Sequence, residues 1–313
     1  MRFMLGRLVR GIITVFGALT LVFLSLRLTP GDPVEIMLGD YRTPELVAIL
    51  RAQYGLDQPL PVQYLVFLKN TLTGNFGMSL AKRQDVSDII QSAWPYTVGL
   101  ALASMAVTCA IGIPLGTIAA LKRNTWADFS AMVISLLGVS TPGFLMALVM
   151  IYVFAYWLNW FPVQGAGEGR GAVTLSYYLV LPALALGFQS AALVARTTRA
   201  SLLAVLDEDY MRTARAKGLA EAAVIWVHAY RNALVPILAV LGLFFGQLLG
   251  GAAVAEIVFG RPGLGKLLVD SILSRDYPLS QALISVFLIG VILVNIVTDT
   301  LYGLADPRIR RGA

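Results

Sequence analysis

Uncharged apolar runs recur along this chain at the length a helix needs to cross a bilayer, about 20 residues for a hydrocarbon core of about 30 Å. Six are present, at roughly 11–28, 96–121, 129–157, 177–195, 233–255 and 282–298, and they predict six transmembrane helices. Between the first two lies a long amphipathic stretch whose pattern predicts short helices. Thr43 offers an N-cap with Pro44 in the first turn, Leu46, Ile49 and Leu50 share a face, and Gly55 ends the helix. A second helix starts near Leu60 with Tyr64, Leu65, Leu68 and Leu72 aligned, and a third carries Val86, Ile89 and Ile90. Such faces could pack on one another, on the membrane surface or on a partner, and they suit a lid or a docking platform.

The other long polar interruption, 196–231, centres on the stretch DYMRTARAKGL at 209–219. Tyr210, Ala214 and Gly218 fall on one helical stripe, while Arg212, Arg215 and Lys217 spread positive charge around the rest. Small residues at Ala214, Ala216 and Gly218 would let this helix lie close against another protein; its arginines would equally hold it near anionic lipid. The expected architecture is an all-α polytopic membrane protein. Residues 1–28 form the N-terminus and first transmembrane helix, 29–93 a helical extracytoplasmic region, and 94–313 a five-helix core carrying the loop 196–231.

Composition excludes a soluble fold, with 58% hydrophobic residues against 13% charged and a mean hydropathy of +0.75. The net charge of +6 does not point to nucleic acid, because the cations are scattered among membrane segments with no aromatic-interleaved basic face. It encodes topology instead. With a cytoplasmic N-terminus, the inner side holds fourteen Lys and Arg (Arg2, Arg7 and Arg10; Lys122 and Arg123; six in 196–231; Arg308, Arg310 and Arg311). The short outer loops hold four, Arg170, Arg261, Lys266 and Arg275. Both termini are therefore expected inside and the 29–93 region outside. The first run resembles a secretory leader, but it continues into Arg27 and LTPGDP without a small-x-small cleavage site, so an uncleaved helix is expected.

Several motifs invite other functions. GRPGLGK (260–266) satisfies half of a phosphate-binding loop, but Leu267 stands where a magnesium-ligating Ser or Thr belongs and no strand precedes it. A re-entrant or capping turn shaped by Pro262, Gly263 and Gly265 is expected there. GIPLG (112–116) and GQLLG (246–250) carry glycines four apart and suit close helix crossing, or flexing of a gate around Pro114. Glu256 and Asp299, near span ends, suit either a pore lining or snorkelling. The lone Cys109 reads as a small buried hydrophobe and the lone His228 makes no zinc site. Tryptophans and tyrosines near the span ends, Trp126, Tyr156, Trp157, Tyr177 and Trp226 among them, read as interfacial belts. A membrane-embedded enzyme would need a metal pair, a serine with a base or paired aspartates within the spans, and a stand-alone carrier inverted repeats with broken helices and buried mid-membrane ionisable groups; the sequence shows none of these.

The segment DYMRTARAKGL…HAYRNALVP resembles the cytoplasmic coupling loop of ABC importer permeases, specifically the first permease subunit of the dipeptide, oligopeptide and nickel importers. LTPGDP (28–33), YGLDQPLPVQYLVFLKNTLTGNFGMSL (54–80), STPGF (140–144), LPALALGF (181–188), VARTTRASLL (194–203), EIVFGRPGLGKLL (256–268), RDYP (275–278) and ADPRIR (305–310) are similar to its hallmarks in the same order. The resemblance implies a non-catalytic subunit of the bacterial inner membrane, paired with a homologous second permease, two ABC ATPase subunits and an extracytoplasmic solute-binding protein. ATP and magnesium would sit on the ATPases, with no cofactor on this chain. It implies short peptides as solute, with nickel and glutathione-type solutes sharing the architecture. ATPase coupling would fall to Asp209, Tyr210, Arg212, Thr213, Ala214, Ala216, Lys217 and Gly218, and a gate or path to Glu256, Arg261, Pro262 and Gly263. The Glu-Ala-Ala at 221–223 has no glycine at the importer motif's spacing. Anchoring on Gly218 puts Arg212, Thr213 and Ala214 at the motif positions, and the arginine is expected to meet an acidic group on the ATPase.

Overall fold

Lipid offers the backbone no hydrogen-bond partners, so each apolar run must close its own hydrogen bonds, and each resolves as helix. The computed structural model describes residues 2–28, 33–38, 43–53, 55–79, 81–167 and 171–305. Residues 29–32 of LTPGDP, Arg42, Arg170, the terminal Arg308, Arg310 and Arg311, most of ADPRIR and the side chain of Asp299 lie outside this set. In chain order the helices are α1 (Arg2–Leu28), α2 (Pro33–Leu38), α3 (Pro44–Gln53), α4 (Leu60–Thr73), α5 (Val86–Leu121), α6 (Trp126–Ser140) and α7 (Gly143–Met150), which continues π-wound through Ile151–Trp157. Then come α8 (Ala172–Leu206), α9 (Asp209–Ala216), α10 (Glu221–Ala223) with a π-wound Val224–Ala229 leading into α11 (Tyr230–Val258), α12 (Leu264–Leu273) and α13 (Tyr277–Ala305). The only β pairing among the described residues is one isolated bridge, Met78 to Asp85.

Among the described residues four helices are long and apolar enough to cross a membrane, Val86–Leu121, Val173–Leu206, Glu221–Val258 and Tyr277–Thr298, where six were expected. The expected continuous helix over 129–157 is broken. Trp126–Ser140 and Gly143–Trp157 meet at 108°, making one bent span or a re-entrant loop. Pro142 causes the break, since it has no N–H to donate and forces Thr141 into extended geometry at φ −87°, ψ 121°. α1 contains a shorter apolar segment, Val9–Ser25, and packs on α13.

Sequence cues place the small helices well. Thr43 Oγ1 accepts from Leu46 N at 3.2 Å and Gly55 follows α3 at φ +61°; Gly74, not foreseen from sequence, ends α4 at φ +70°. The third helix expected around Val86 is not separate. Asp85 caps α5 by accepting from Ser87 N at 2.7 Å, and α5 then runs unbroken past residue 93 into the membrane. Asp276 ties the intervening turn down, accepting from Ser79 Oγ and, at 3.2 Å, from Ala81 N while capping α13 through Leu279 N at 3.3 Å.

The most intimate helix pair is α5 on α8. A Cβ added at Gly116 would lie 2.3 Å from Ala195 O, one at Gly112 2.8 Å from Ala191 O, and one at Gly187 2.7 Å from Ser104 O. Thr108 Oγ1 donates across the contact to Gly187 O at 3.1 Å. Lipid tails are as apolar as leucine, so helices in a bilayer gain little by hiding apolar surface and much by approaching until backbones touch. GIPLG therefore acts as a crossing. GQLLG does not, because nothing lies within 4 Å of a Cβ on Gly250 and a Cβ on Gly246 meets only Asn295. We expect Gly116→Ala to destabilise the detergent-solubilised chain by about 1–3 kcal/mol through overpacking, and Gly250→Ala to leave its unfolding midpoint unchanged.

Candidate functional site

Two constructions stand at opposite ends of the bundle. At one end α8 continues well past its expected end near Ala195, as far as Leu206, and a two-residue turn delivers α9. Met211 and Ala214, three apart, are buried in a cluster with Leu202, Val224, Ala229, Tyr230, Ala233 and Ile237. Ala214 thus holds α9 to its own subunit and is unavailable to a partner surface, contrary to expectation. Gly218 lies beyond the helix at φ +75°, so it shares no helical stripe with Tyr210 and instead turns the chain back toward α10.

What the elbow exposes is polar. Arg212 has 75% of its side chain exposed and its nearest carboxylate is the still more exposed Asp209, at 3.5 Å. Tyr210 is 41% exposed and its hydroxyl accepts from Asn232 Nδ2 at 2.7 Å. Thr213 Oγ1 donates to Asp209 O at 3.1 Å, and Ala216, Lys217 and Gly218 are exposed. Arg215 forks onto Glu221, Nε to Oε2 at 3.2 Å and Nη2 to Oε1 at 2.9 Å. The glutamate of the misplaced Glu-Ala-Ala is therefore engaged within the elbow.

Two supports were not foreseen from sequence. Asp128, at the start of α6, is buried and receives Arg199 of α8 as a fork at 2.6 and 2.7 Å, plus Asn124 N at 3.1 Å. The Thr117 and Tyr230 hydroxyls pair between α5 and α11, and the Trp226 ring stacks on Tyr230 at 4.7 Å. An aspartate and an arginine 71 positions apart leave no local pattern to read.

At the other end, Glu256, Arg261, Pro262 and Gly263 form one buried junction between α11 and α12. The Glu256 carboxylate, with no exposed surface, accepts from Thr97 Oγ1 at 2.6 Å and from Lys266 N at 3.0 Å. Thr97 Oγ1 in turn accepts from Leu264 N at 2.8 Å. A remote acid and a remote hydroxyl thus satisfy the free N–H groups at the start of α12, where the helix dipole favours negative charge. A Cβ at Gly263 would lie 2.0 Å from Glu256 Oε1, so only glycine admits the carboxylate. Buried Arg261 donates to Tyr178 O at 3.3 Å and lies 6.0 Å over the Tyr96 ring. Glu256 therefore faces neither a pore nor lipid in this conformation. A helix, α11, leads into GRPGLGK, so the strand of a phosphate-binding loop is missing.

A cavity of about 170 Å3 opens between α4 and the start of α13, lined by Gln58, Val62, Phe67, Asn75, Tyr277 and Gln281 among others. Among the described residues no cluster of three or more His, Cys, Asp or Glu is placed to hold a metal ion. We expect Thr97→Val to cost about 1–3 kcal/mol, because it strips a donor from Glu256 and an acceptor from Leu264 N inside the protein. Thr97→Ser should restore most of it, and thermal unfolding of the purified chain reads both.

Residues 112–311 match the family described as binding-protein-dependent transport system inner membrane component, and residues 1–101 match that family's N-terminal region. The chain is 43% identical over 310 residues to the glutathione transport system permease protein GsiC of Escherichia coli K12, covering 99% of each chain. The same figures hold for its counterpart in Shigella dysenteriae serotype 1. In structure it is similar to an inward-facing form of the MetNI methionine ABC transporter, with TM-score 0.59 and 16% identity over 70% of this chain and 96% of that one. An amino acid ABC transporter crystallised with histidines gives 0.54 and 17%, over 71% and 94%. At these identities the structural likeness speaks for the fold alone.

Proposed function

Because the chain belongs to the family of binding-protein-dependent transport system inner membrane components, we propose that this ABC importer permease forms half of a pore for short peptides. A homologous permease supplies the other half, two ATPases grip the elbows from the cytoplasm, and a binding protein delivers solute on the far side. The observation that carries the coupling role is the division of labour in α9. Met211 and Ala214 bury one face in the subunit's own core while Arg212 and Lys217 stand in solvent. A push on the exposed face is then transmitted through a packed contact into α8 and α11, which hold Leu202 and Ala233 against it. Arg212, with only an exposed aspartate beside it, is the group best placed to meet an acidic residue of the ATPase.

A glutathione-type solute is the second reading, favoured by the GsiC relatives. Glutathione is itself a small peptide, so both readings ask the same chemistry of the pore. Nickel has less support here, since the one histidine, His228, sits in the elbow.

The assembled complex should hydrolyse ATP faster when offered a binding protein loaded with a short peptide or glutathione, and should not respond to one loaded with nickel. Stimulation by nickel alone would overturn the solute assignment. Arg212→Glu should abolish most of the stimulated hydrolysis while leaving the chain folded, because Met211 and Ala214 still anchor α9. Unchanged stimulation in that variant would count against the proposed contact.

A further inference from the structure

Three carboxamides lie well inside the long apolar helices, away from the helix ends that hold Gln91, Asn232 and Gln281: Gln189 on α8, Gln247 on α11 and Asn295 on α13. All three are exposed, and none makes a hydrogen bond among the described residues. They also share a depth. α8 and α11 run antiparallel, with Leu202 and Ala233 in one buried cluster near the elbow and Leu181 and Ala255 in another at the other end. Leu186 Cδ2 lies 3.8 Å from where Gly251 would carry a Cβ. From that contact Gln189 and Gln247 are three and four residues toward the elbow, or about 4.5 and 6 Å along each helix axis. Asn295 Oδ1 lies 3.5 Å from the Cβ position of Gly246, the neighbour of Gln247. The broken span reaches the same level, since Gln189 Oε1 lies 3.3 Å from the Cβ position of Gly143, the first residue of α7.

An amide facing hydrocarbon with no partner is strongly unfavourable. One such residue could be accommodated by a neighbour, but three at one level on three helices mark a surface that meets something other than lipid. No Asp, Glu, Lys or Arg occurs in α8 from 172 to 195, in α11 from 232 to 255, or in α13 from 277 to 298, so this surface offers hydrogen bonds without charge. A carboxamide both donates and accepts, which matches the alternating N–H and C=O of a peptide backbone and suits a metal cation poorly.

We propose that Gln189, Gln247 and Asn295 line the solute path at the level of the span break and recognise the uncharged amide groups of a short peptide. The proposal rests on the importer reading and adds to it the residues and the chemistry that select the solute.

Single cysteines test it, in the whole complex reconstituted in lipid vesicles and in a Cys109→Ser background. Gln189→Cys, Gln247→Cys and Asn295→Cys should react with a charged, membrane-impermeant thiol reagent several times faster than Leu136→Cys, an exposed apolar position on α6. Their rates should also change when nucleotide traps the ATPases closed. Rates no faster than at Leu136→Cys, or cross-linking to the second permease without reagent access, would overturn the path assignment. The reagent reports water whatever the solute is, so this result is independent of the importer's substrate. In Gln189→Leu, Gln247→Leu and Asn295→Leu, stimulated ATP hydrolysis should persist while the half-saturating peptide concentration rises about tenfold for a lost hydrogen bond. Unchanged half-saturation in all three would overturn the recognition role, and a leucine variant that fails to assemble is replaced by Gln247→Asn or Asn295→Gln, where a smaller rise is expected.

Discussion

Backbone meets backbone where α5 crosses α8, and the rest of the bundle is arranged around that contact. Gly112, Gly116 and Gly187 supply the missing side chains, and Thr108 spans the gap with a hydroxyl. An interface made this way cannot slide gradually, because each glycine receives one carbonyl or one side chain of the facing helix. The pair therefore behaves as a fixed spine, against which α6, α7 and α11 are placed by ordinary side-chain packing and by a few buried polar ties.

The two ends of the spine are finished differently. At the elbow end the fastenings are electrostatic and partly open to water, with Arg199 on Asp128 and Arg215 on Glu221. At the opposite end they are dry. Glu256 and Thr97 close the start of α12, Asp276 closes the start of α13, and the carboxylates of both have little or no contact with solvent. Buried carboxylates at helix starts are fully engaged by N–H donors and hydroxyls, so the junction among α5, α11, α12 and α13 is stiff. At the elbow only Asp128 is buried within its pair; Arg215 and Glu221 are exposed and their pair is worth little by itself, so the tip of the elbow is the more adaptable part.

Much of this was legible in the sequence. Apolar run length located four membrane-length helices and the bent pair among the described residues, Thr43 and Gly55 punctuated α3, and the ordered motifs identified the family. What escaped reading has a common cause: it depends on residues brought together across the fold. Pro142 was visible, yet the run around it is apolar enough to look continuous, and only its geometry shows the 108° bend. Glu256 read as either a pore lining or a snorkelling residue because its partners, Thr97 and the N–H groups of α12, come from other elements. Ala214 looked like an external contact because helical spacing cannot tell which side of α9 meets its own protein. Gly112 and Gly246 carry the same four-residue spacing, and nothing local distinguishes the glycine that touches a neighbour from the one that does not.

The unbroken course of α8 from the glycine contact to the elbow gives the molecule a mechanical ratio. From Ala195, which Gly116 touches, to the helix end at Leu206 is about 16 Å of rigid rod. Pivoting that rod by about 10° about the contact sweeps its tip by about 3 Å, comparable to one side chain's reach. Small angular strokes at the fulcrum thus become displacements at the tip large enough to exchange one set of neighbours for another, with no helix needing to unwind.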